Sequence, residues 1–343
     1  MKSPVVSFKG LFSENVKSNS RSARQIENAS PFSVMVRKEV ADHIRSWRFI
    51  VLLLLVVLTF FGSMYISLSN ISRAVGNAGD PDHLFLYLKL LTITDGTLPP
   101  FHVFIGFLGP LLGIGLGFDA INAEQNNGTL TRLLAQPVYR DNLLLAKFTG
   151  ALIVVSVLFL SLGLLMIGGG LLFTGVKIEP QEFLRILCFI ILSIIYIGFW
   201  LSLSILLSVI FKQAATSALT AIGIWLFFTI FYQILLNLIV KAFLPDPALL
   251  SQEEVTKYNN VILTFLRFVP SQLYTDGTTT LLMPSVRSLG PLSMEQMANA
   301  IPAPLSLRDS LLIVWPQLCG LTAATMVCFA LAYYLFMRRE IRT

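Results

Sequence analysis

One polar segment of the chain has residue types and a spacing that suit binding to another protein. Residues 126–137 read NNGTLTRLLAQP and lie between two of the most apolar stretches of the sequence. Asn126 or Asn127 can cap a helix, because an asparagine side chain accepts hydrogen bonds from backbone N–H groups of the first turn. Pro137 would end that helix, since proline cannot continue its hydrogen bonding. The segment therefore predicts a helix of about two to three turns.

The apolar residues of this segment form a stripe that needs a surface to pack on. Leu130, Leu133 and Leu134 fall at the i, i+3 and i+4 positions of one helix face, and Arg132 lies off that face. A helix this short is not stable in water on its own. The surface could be lipid, the bundle of the same chain or a groove in another protein. The residues alone leave these three alternatives open.

The other side chains that could do chemistry are scattered along the sequence. The histidines show no metal-ligand spacing and the cysteines form no CxxC pair, so we predict no metal site, no disulfide framework and no cofactor. No GxxxxGKS/T motif is present to cradle ATP phosphates, and no HExxH or nucleophile elbow occurs. We therefore expect that the chain is not an enzyme by itself. The residues concerned are His43, His83, His102, Cys188, Cys319 and Cys328.

The composition is that of an integral membrane protein. The chain has 343 residues, of which 55% are hydrophobic and 13% are charged, and its mean hydropathy is +0.74. A soluble domain carries about 25% charged residues. The net charge of +6 reflects basic residues at the ends of apolar stretches and does not predict a nucleic-acid partner, because no binding motif accompanies it.

Six segments are long and apolar enough to cross a bilayer, which needs about 20 such residues. They predict an all-α integral membrane protein with six transmembrane helices. The approximate segments are 49–69, 101–119, 145–173, 184–210, 217–243 and 311–337.

The placement of lysine and arginine predicts the orientation of these spans. Most of the 25 basic residues fall in the N-terminal segment, the 120–147 connector, the 211–216 turn and the C-terminus. Basic residues in short connectors mark the cytoplasmic side. We therefore expect both termini in the cytoplasm, with the protein in the inner (plasma) membrane.

The parts outside the spans divide into four segments. We expect residues 1–32 to be a disordered tail and residues 33–48 to form an elbow helix in the membrane interface, because apolar residues recur there at three- and four-residue steps. Segments 70–100 and 244–310 are predicted on the extracytoplasmic side. Their apolar stretches could form small helices that dip into the outer leaflet or pack over the bundle. They could equally form a loop cap with no role in transport.

The second predicted span carries glycines at a regular spacing. Gly109, Gly113 and Gly117 lie four residues apart and share one helix face. Small residues at that spacing let a second helix approach closely in lipid. The partner could be a helix of the same subunit, or the face could line a translocation path or a dimer interface. The sequence does not separate these readings.

Residues 119–152, DAINAEQNNGTLTRLLAQPVYRDNLLLAKFTGAL, resemble the permease subunits of ABC-2-type ATP-binding cassette transporters. The similarity is to the branch that includes the permease of the copper-maturation system for nitrous oxide reductase. In that family an acidic residue precedes Gly-Thr-Leu, then Leu-Leu, a proline, a basic linker and Lys-x-x-Gly at the next span. The matching positions here are Glu124, Gly128, Thr129, Leu130, Leu133, Leu134, Pro137, Arg140, Lys147 and Gly150.

The resemblance implies a role for segment 126–137. It would be the coupling helix that docks on a nucleotide-binding subunit, with Leu130, Leu133 and Leu134 as anchors and Arg132 as a polar contact. The resemblance also implies that residues 33–343 form one permease domain. That domain would pair with a second copy or a paralogue and with two ATPase subunits, and it would be surrounded by membrane lipid.

The predicted function is therefore that of a permease subunit that couples ATP hydrolysis on a separate ATPase to export of a substrate. The alternative is a membrane anchor without transport, which uses ATPase motion for envelope assembly or maturation of a periplasmic protein. A secondary transporter is disfavoured, because ionisable residues are scarce in the predicted spans. The sequence does not identify the substrate.

Overall fold

The structure is a computed structural model, and it describes residues 30–74, 85–93, 96–129, 140–243, 261–262, 264–284 and 305–338. All regular secondary structure in these ranges is helical. Six helical segments in them are long and apolar enough to cross a membrane. The chain is thus an all-α, multi-pass membrane protein, as predicted. The predicted tail, residues 1–32, lies outside the described residues up to residue 29.

The helices are numbered here in chain order. They are α1 Pro31–Arg45, α2 Trp47–Ala74, α3 Leu86–Thr92, α4 Phe101–Gly117, α5 Asn122–Asn126, α6 Arg140–Thr174, α7 Pro180–Ile210, α8 Ala214–Leu226, α9 Tyr232–Phe243, α10 Pro270–Leu282 and α11 Leu307–Arg338. A π-helical turn, Phe227–Phe231, joins α8 to α9 within the fifth span.

Several helices begin a few residues before the apolar segments from which we predicted them, because their first turns contain polar residues. The fourth span, predicted from residue 184, begins at Pro180. Glu179 and Glu182 form a capping box there, in which each side chain accepts a hydrogen bond from the backbone N–H of the other residue. Such caps supply partners for N–H groups that the helix leaves unpaired. Hydropathy locates the apolar centre of a span, and the caps set its ends.

Helix α1 occupies the predicted elbow segment with shifted ends. Its first turn is capped by Ser30, whose side-chain oxygen accepts from the Ser33 N–H at 3.3 Å, so the helix begins at Pro31. It ends at Arg45, and Ser46 is extended with a ψ of 124°. The elbow therefore breaks away from the first span. It packs along α6 so closely that a Cβ on Gly150 would lie 2.9 Å from the Glu39 Cβ.

Helix α4 packs against α7 through the face that carries the regularly spaced glycines. A Cβ on Gly113 would lie 2.7 Å from the Ile197 carbonyl oxygen, and one on Gly117 would lie 3.0 Å from the Leu201 carbonyl oxygen. At Gly109 the nearest atoms are side-chain carbons, 3.2 Å away. The observed contacts of this glycine face are thus with a helix of the same chain.

Helix α10 lies within the predicted outside segment 244–310, yet it is packed beside α7. Of its 13 residues only Thr275 is exposed. The Tyr274 ring stacks on the Tyr196 ring with centroids 4.4 Å apart, and its hydroxyl lies 3.1 Å from that of Ser193. This helix of mixed polarity is therefore part of the core.

The two ends of the bundle are named by what they carry. The elbow end holds α1, α5 and the first turns of α2 and α6. The loop end holds α3 and the last turn of α10. Arg185, at the loop end of α7, is fully buried. Its guanidinium donates to the Leu281 and Leu305 carbonyl oxygens at 3.0 and 2.7 Å and to the Ser310 hydroxyl at 3.0 Å.

A second buried charge at the loop end serves two helices. The Glu182 carboxylate caps α7, because it accepts from the Glu179 N–H at 3.2 Å. The same carboxylate accepts from the Tyr87 N–H at 2.9 Å, in the first turn of α3. At the other end of α3, the His102 Nδ1 donates to the Leu91 carbonyl oxygen at 3.1 Å. Helix α3 is therefore held at both of its ends.

Candidate docking site and the adjoining charge cluster

The structure describes the start of the predicted docking segment. Glu124, Gly128 and Thr129 lie within the described residues. The other predicted docking residues lie outside them, namely Leu130, Arg132, Leu133, Leu134 and Pro137. What the structure shows of this segment is therefore how it is attached to the bundle.

A turn precedes Thr129 and separates it from α5. Asn126 is the last residue of α5, and Asn127 is its C-terminal cap. Gly128 has a φ of +67°, a left-handed conformation that glycine adopts without steric strain. The predicted helix 126–137 is thus interrupted at its start, because residues 127 and 128 form the turn that ends α5.

Glu124 ties the two sides of this turn together. The Thr129 hydroxyl contacts the Glu124 carboxylate and donates to the Glu124 carbonyl oxygen at 3.1 Å. The Glu124 carboxylate is mostly buried. The position of Thr129, within the predicted docking segment, therefore depends on a side chain that itself faces the bundle.

Glu124 belongs to a group of four charged residues, Lys38, Glu39, Glu124 and Lys147, which we term the charge cluster. The Lys147 Nζ lies 3.1 Å from the Glu39 Oε2 and 3.2 Å from the Glu124 Oε1. Lys38 approaches the same two carboxylates from the outer side, at 3.2 and 3.5 Å. The cluster joins α1, α5 and α6.

The burial of this cluster makes its pairing energetically important. The side chains of Lys147 and Glu39 are each only 7% exposed. Removing one partner of a buried ion pair costs about 3–5 kcal/mol, because an uncompensated charge stays behind. Burial alone would lower the pKa of Lys38, but Glu39 and Glu124 outweigh it and raise the pKa above its usual value. Lys38 is therefore charged at neutral pH.

Two further contacts hold the connection between α4 and α5. The Arg48 guanidinium contacts the Asp119 carboxylate and so ties α2 to the end of α4. The Ser208 hydroxyl oxygen, near the end of α7, accepts from the N–H groups of Ile121 and Asn122 at 2.9 and 3.3 Å. The stretch from the end of α4 to Thr129 is therefore in contact with α1, α2, α6 and α7.

Sequence reasoning missed Glu39 and Lys38 as members of this site. Glu39 is 108 residues from Lys147 along the chain, and no local pattern connects them. One signal was available, since Glu39 lies next to Val40 in the apolar stripe of α1, where an acid is costly without a partner. Lys147 was singled out by the family resemblance alone.

No metal centre accompanies the cluster. Within the described ranges, no three histidine, cysteine or acidic side chains come together in a way that could hold a metal ion. The acids of the cluster are instead neutralised by lysines.

Comparison with known proteins gives concordant matches over most of the chain. A family model described as "ABC-2 family transporter protein" matches residues 34–341. A relative from Stutzerimonas stutzeri, named "Probable ABC transporter permease protein NosY", is 28% identical over 309 residues, which cover 89% of this chain and 97% of the relative. A protein of the same name from Pseudomonas aeruginosa is 26% identical over 312 residues, covering 90% and 98% respectively.

Proposed function

The chain belongs to the ABC-2 family of transporter proteins, and we propose that it is the permease subunit through which a separate ATPase drives export of a substrate. Membership of this family accounts for a membrane subunit without a P-loop of its own. The ATPase partner supplies the energy, and the permease supplies the path and the docking segment.

One observation carries this proposal, namely the attachment of the docking segment to the bundle. A segment that only connected two spans would need no buried ion pairs at its base. Here Glu124 precedes the segment and pairs with Lys147, which also pairs with Glu39 on the elbow helix. These contacts would transmit a displacement of Thr129 to α1 and α6, because Glu124 contacts Thr129 and Lys147 joins Glu124 to Glu39.

The remaining roles follow from this assignment. Leu130, Leu133 and Leu134 anchor the segment in a groove of the ATPase, and Arg132 makes a polar contact there. The elbow end faces the cytoplasm, consistent with the basic residues that gather there, and the protein resides in the inner membrane. Two permease subunits, identical or paralogous, assemble with two ATPase subunits, whose closure on ATP tilts the bundles.

The docking assignment is tested with a paired substitution. Leu133→Asp with Leu134→Asp places two charges on the apolar stripe, and we expect the ATPase to be lost from the purified complex. The control is Gln213→Asp with Ala215→Asp, which adds the same charges at exposed positions at the start of α8, outside the docking segment, and should retain the ATPase. Retention of a normally stimulated ATPase by the leucine variant would contradict the assignment.

A further inference from the structure

A π-helical turn, Phe227–Phe231, interrupts the fifth span near its middle. The Tyr232 N–H closes this turn by donating to the carbonyl oxygen of Phe227, five residues earlier. A π-turn holds about one residue more than an α-turn, and such turns are rare within helices and frequent at functional sites. The fifth span therefore contains one residue more than a continuous α-helix of the same length would need.

Thr229 lies within this turn, and its buried hydroxyl has no hydrogen-bond partner among the described residues. In the α-helical part of the same span, Thr216 donates to the Gln213 carbonyl oxygen and Thr220 to that of Thr216, both at 2.8 Å. This back-bonding is typical of threonine inside an α-helix. In an α-helical turn, the Thr229 hydroxyl would reach the Trp225 carbonyl oxygen in the same way. The π-turn thus leaves unmade a bond that an α-helix would supply.

Contacts on both sides of the turn hold it in the π conformation. Before the turn, the Trp225 ring meets the Phe107 ring of α4 edge-on, with centroids 4.9 Å apart. After the turn, the Tyr232 hydroxyl donates to the Phe265 carbonyl oxygen at 2.7 Å. These contacts fix how α9 is rotated relative to α8, and that rotation requires the extra residue of the π-turn.

Helix α9 carries apolar residues that suit a second rotation about its axis. Its buried residues are Leu236 and Val240, which are 7% and 8% exposed. The residues directly before them, Leu235 and Ile239, are 45% and 54% exposed. If the π-turn became α-helical, α9 would rotate by roughly 100° and each residue would take the place of the next one. Leu235 and Ile239 would then replace Leu236 and Val240, so an equivalent apolar face would be buried.

We propose that the π-turn is a register switch, which converts to α-helix and shifts α9 by one residue against the bundle. The Thr229 hydroxyl gains a partner in the α register. The Tyr232 hydroxyl loses its partner there, because Phe231 takes its place. The two registers thus exchange one hydrogen bond for another and one apolar face for another. The span can therefore change its contacts without unfolding, as a two-state element does.

Double electron–electron resonance on the purified full chain in lipid nanodiscs tests the proposal, and it does not depend on the export function proposed above. The native cysteines are replaced by serine, and spin labels are attached at Leu219→Cys and Leu238→Cys, which are 69% and 58% exposed. We expect two distances between the labels. The shorter one belongs to the π register, in which both labels face away from the bundle. The longer one belongs to the α register, because the rotation of α9 separates the labels.

Two conservative variants should change the ratio of the two distances in opposite directions. Tyr232→Phe removes the hydrogen bond of the π register and should raise the share of the longer distance by about threefold or more. Thr229→Val removes the bond of the α register and should lower that share by a similar factor. Thr220→Val is the matched control, because its hydroxyl bonds within α8 in both registers, and it should leave the ratio unchanged.

A deletion fixes one register and completes the test. Ile230 is an exposed residue of the π-turn, and its deletion makes the span a continuous α-helix whose α9 keeps its present buried face. Only the shorter distance should remain. The proposal is overturned by a single distance in both the parent and Tyr232→Phe, or by a shift in the same direction in Tyr232→Phe and Thr229→Val. Persistence of the longer distance in the deletion variant would contradict it as well.

Discussion

The two ends of the bundle both bury charged side chains, but they neutralise them in different ways. At the elbow end the charges pair with one another, and Lys147 lies between the carboxylates of Glu39 and Glu124. At the loop end Arg185 donates to three oxygens that carry no charge, two of them backbone carbonyls. Glu182 likewise accepts from backbone N–H groups.

This difference determines at which end the charged side chains can exchange partners. Lys38 and Lys147 both reach Glu39 and Glu124, so these side chains can exchange partners without leaving a bare charge. Arg185 fixes the backbone of α10 and of the start of α11, and no second cation shares its three acceptors among the described residues. The elbow end is therefore an adjustable joint, and the loop end is a fixed one.

The largest effect is expected from removing the fixed joint. Arg185→Met leaves three acceptors without their donor, two of them buried. At about 1–3 kcal/mol for each buried unsatisfied group, the cost is about 2–6 kcal/mol. Thermal melting of the purified protein in detergent measures it. Arg308→Met, at an exposed position of the same end, is the matched control. Similar melting of the two variants would show that Arg185 does not hold the loop end.

A double-mutant cycle tests the adjustable joint. Lys147→Met alone should cost roughly 2–3 kcal/mol, less than the full loss of a buried pair because Lys38 still reaches both carboxylates. Combination with Glu39→Gln should reveal a coupling energy of about 1–2 kcal/mol. The matching cycle of Glu182→Gln with Arg185→Gln should give a smaller value, since these charges bond to different backbone groups. Equal coupling at the two ends would remove the distinction between them.

The contact surface between α4 and α7 runs between the two ends of the bundle. Replacing single glycines with alanine tests how closely the two helices pack. Gly113→Ala places a methyl group 2.7 Å from a carbonyl oxygen and should cost about 1–2 kcal/mol through overpacking. Gly109→Ala meets only side-chain carbons and should cost less. Gly168→Ala, where nothing lies within 4 Å, should melt at or slightly above the temperature of the parent protein, because alanine favours a helix interior over glycine. If Gly113→Ala did not have the lowest melting temperature of the three variants, the close packing of α4 on α7 would be contradicted.

The smallest effect is expected from the exposed ion pair of the elbow end. Arg48 is 57% exposed, and such surface pairs contribute less than about 1 kcal/mol. Arg48→Gln should therefore lower the melting temperature slightly, and the difference should shrink in high salt. The lower melting temperature of Lys147→Met should persist in high salt, because the Lys147–Glu39 pair is buried. If Arg48→Gln lowered the melting temperature strongly and high salt did not reduce the effect, the Arg48–Asp119 pair would behave like the buried pairs of Lys147, and this prediction would be wrong.

The six spans were predictable because hydropathy is a local property of the sequence. The predicted segment 101–119 corresponds to α4, Phe101–Gly117, and the predicted start at 311 corresponds to Leu307, a few residues earlier. What the sequence did not reveal depends on distant partners. Glu39 and Lys147 meet only when α1 packs along α6, and the position of Glu39 in an apolar stripe shows that it needs a partner without showing which residue that partner is.

Helix α10 illustrates a second limit of prediction. Its stretch PSQLYTDGTTTLL is moderately polar, and such composition is typical of a loop. In the structure its threonine hydroxyls bond to the helix backbone, as Thr278 does to the Tyr274 carbonyl oxygen at 2.9 Å. That internal bonding lets a polar sequence enter a packed core, and nothing in its hydropathy reports it.

The double role of Glu182 also has a consequence for the order of assembly during synthesis. Tyr87, whose N–H the carboxylate accepts, precedes Glu182 by 95 residues. At about 5–20 residues per second of translation, that separation corresponds to roughly 5–20 seconds. Helix α3 is therefore made long before its cap exists. The hydrogen bond that holds its first turn can form only after the fourth span has been synthesised, so the loop end is completed late.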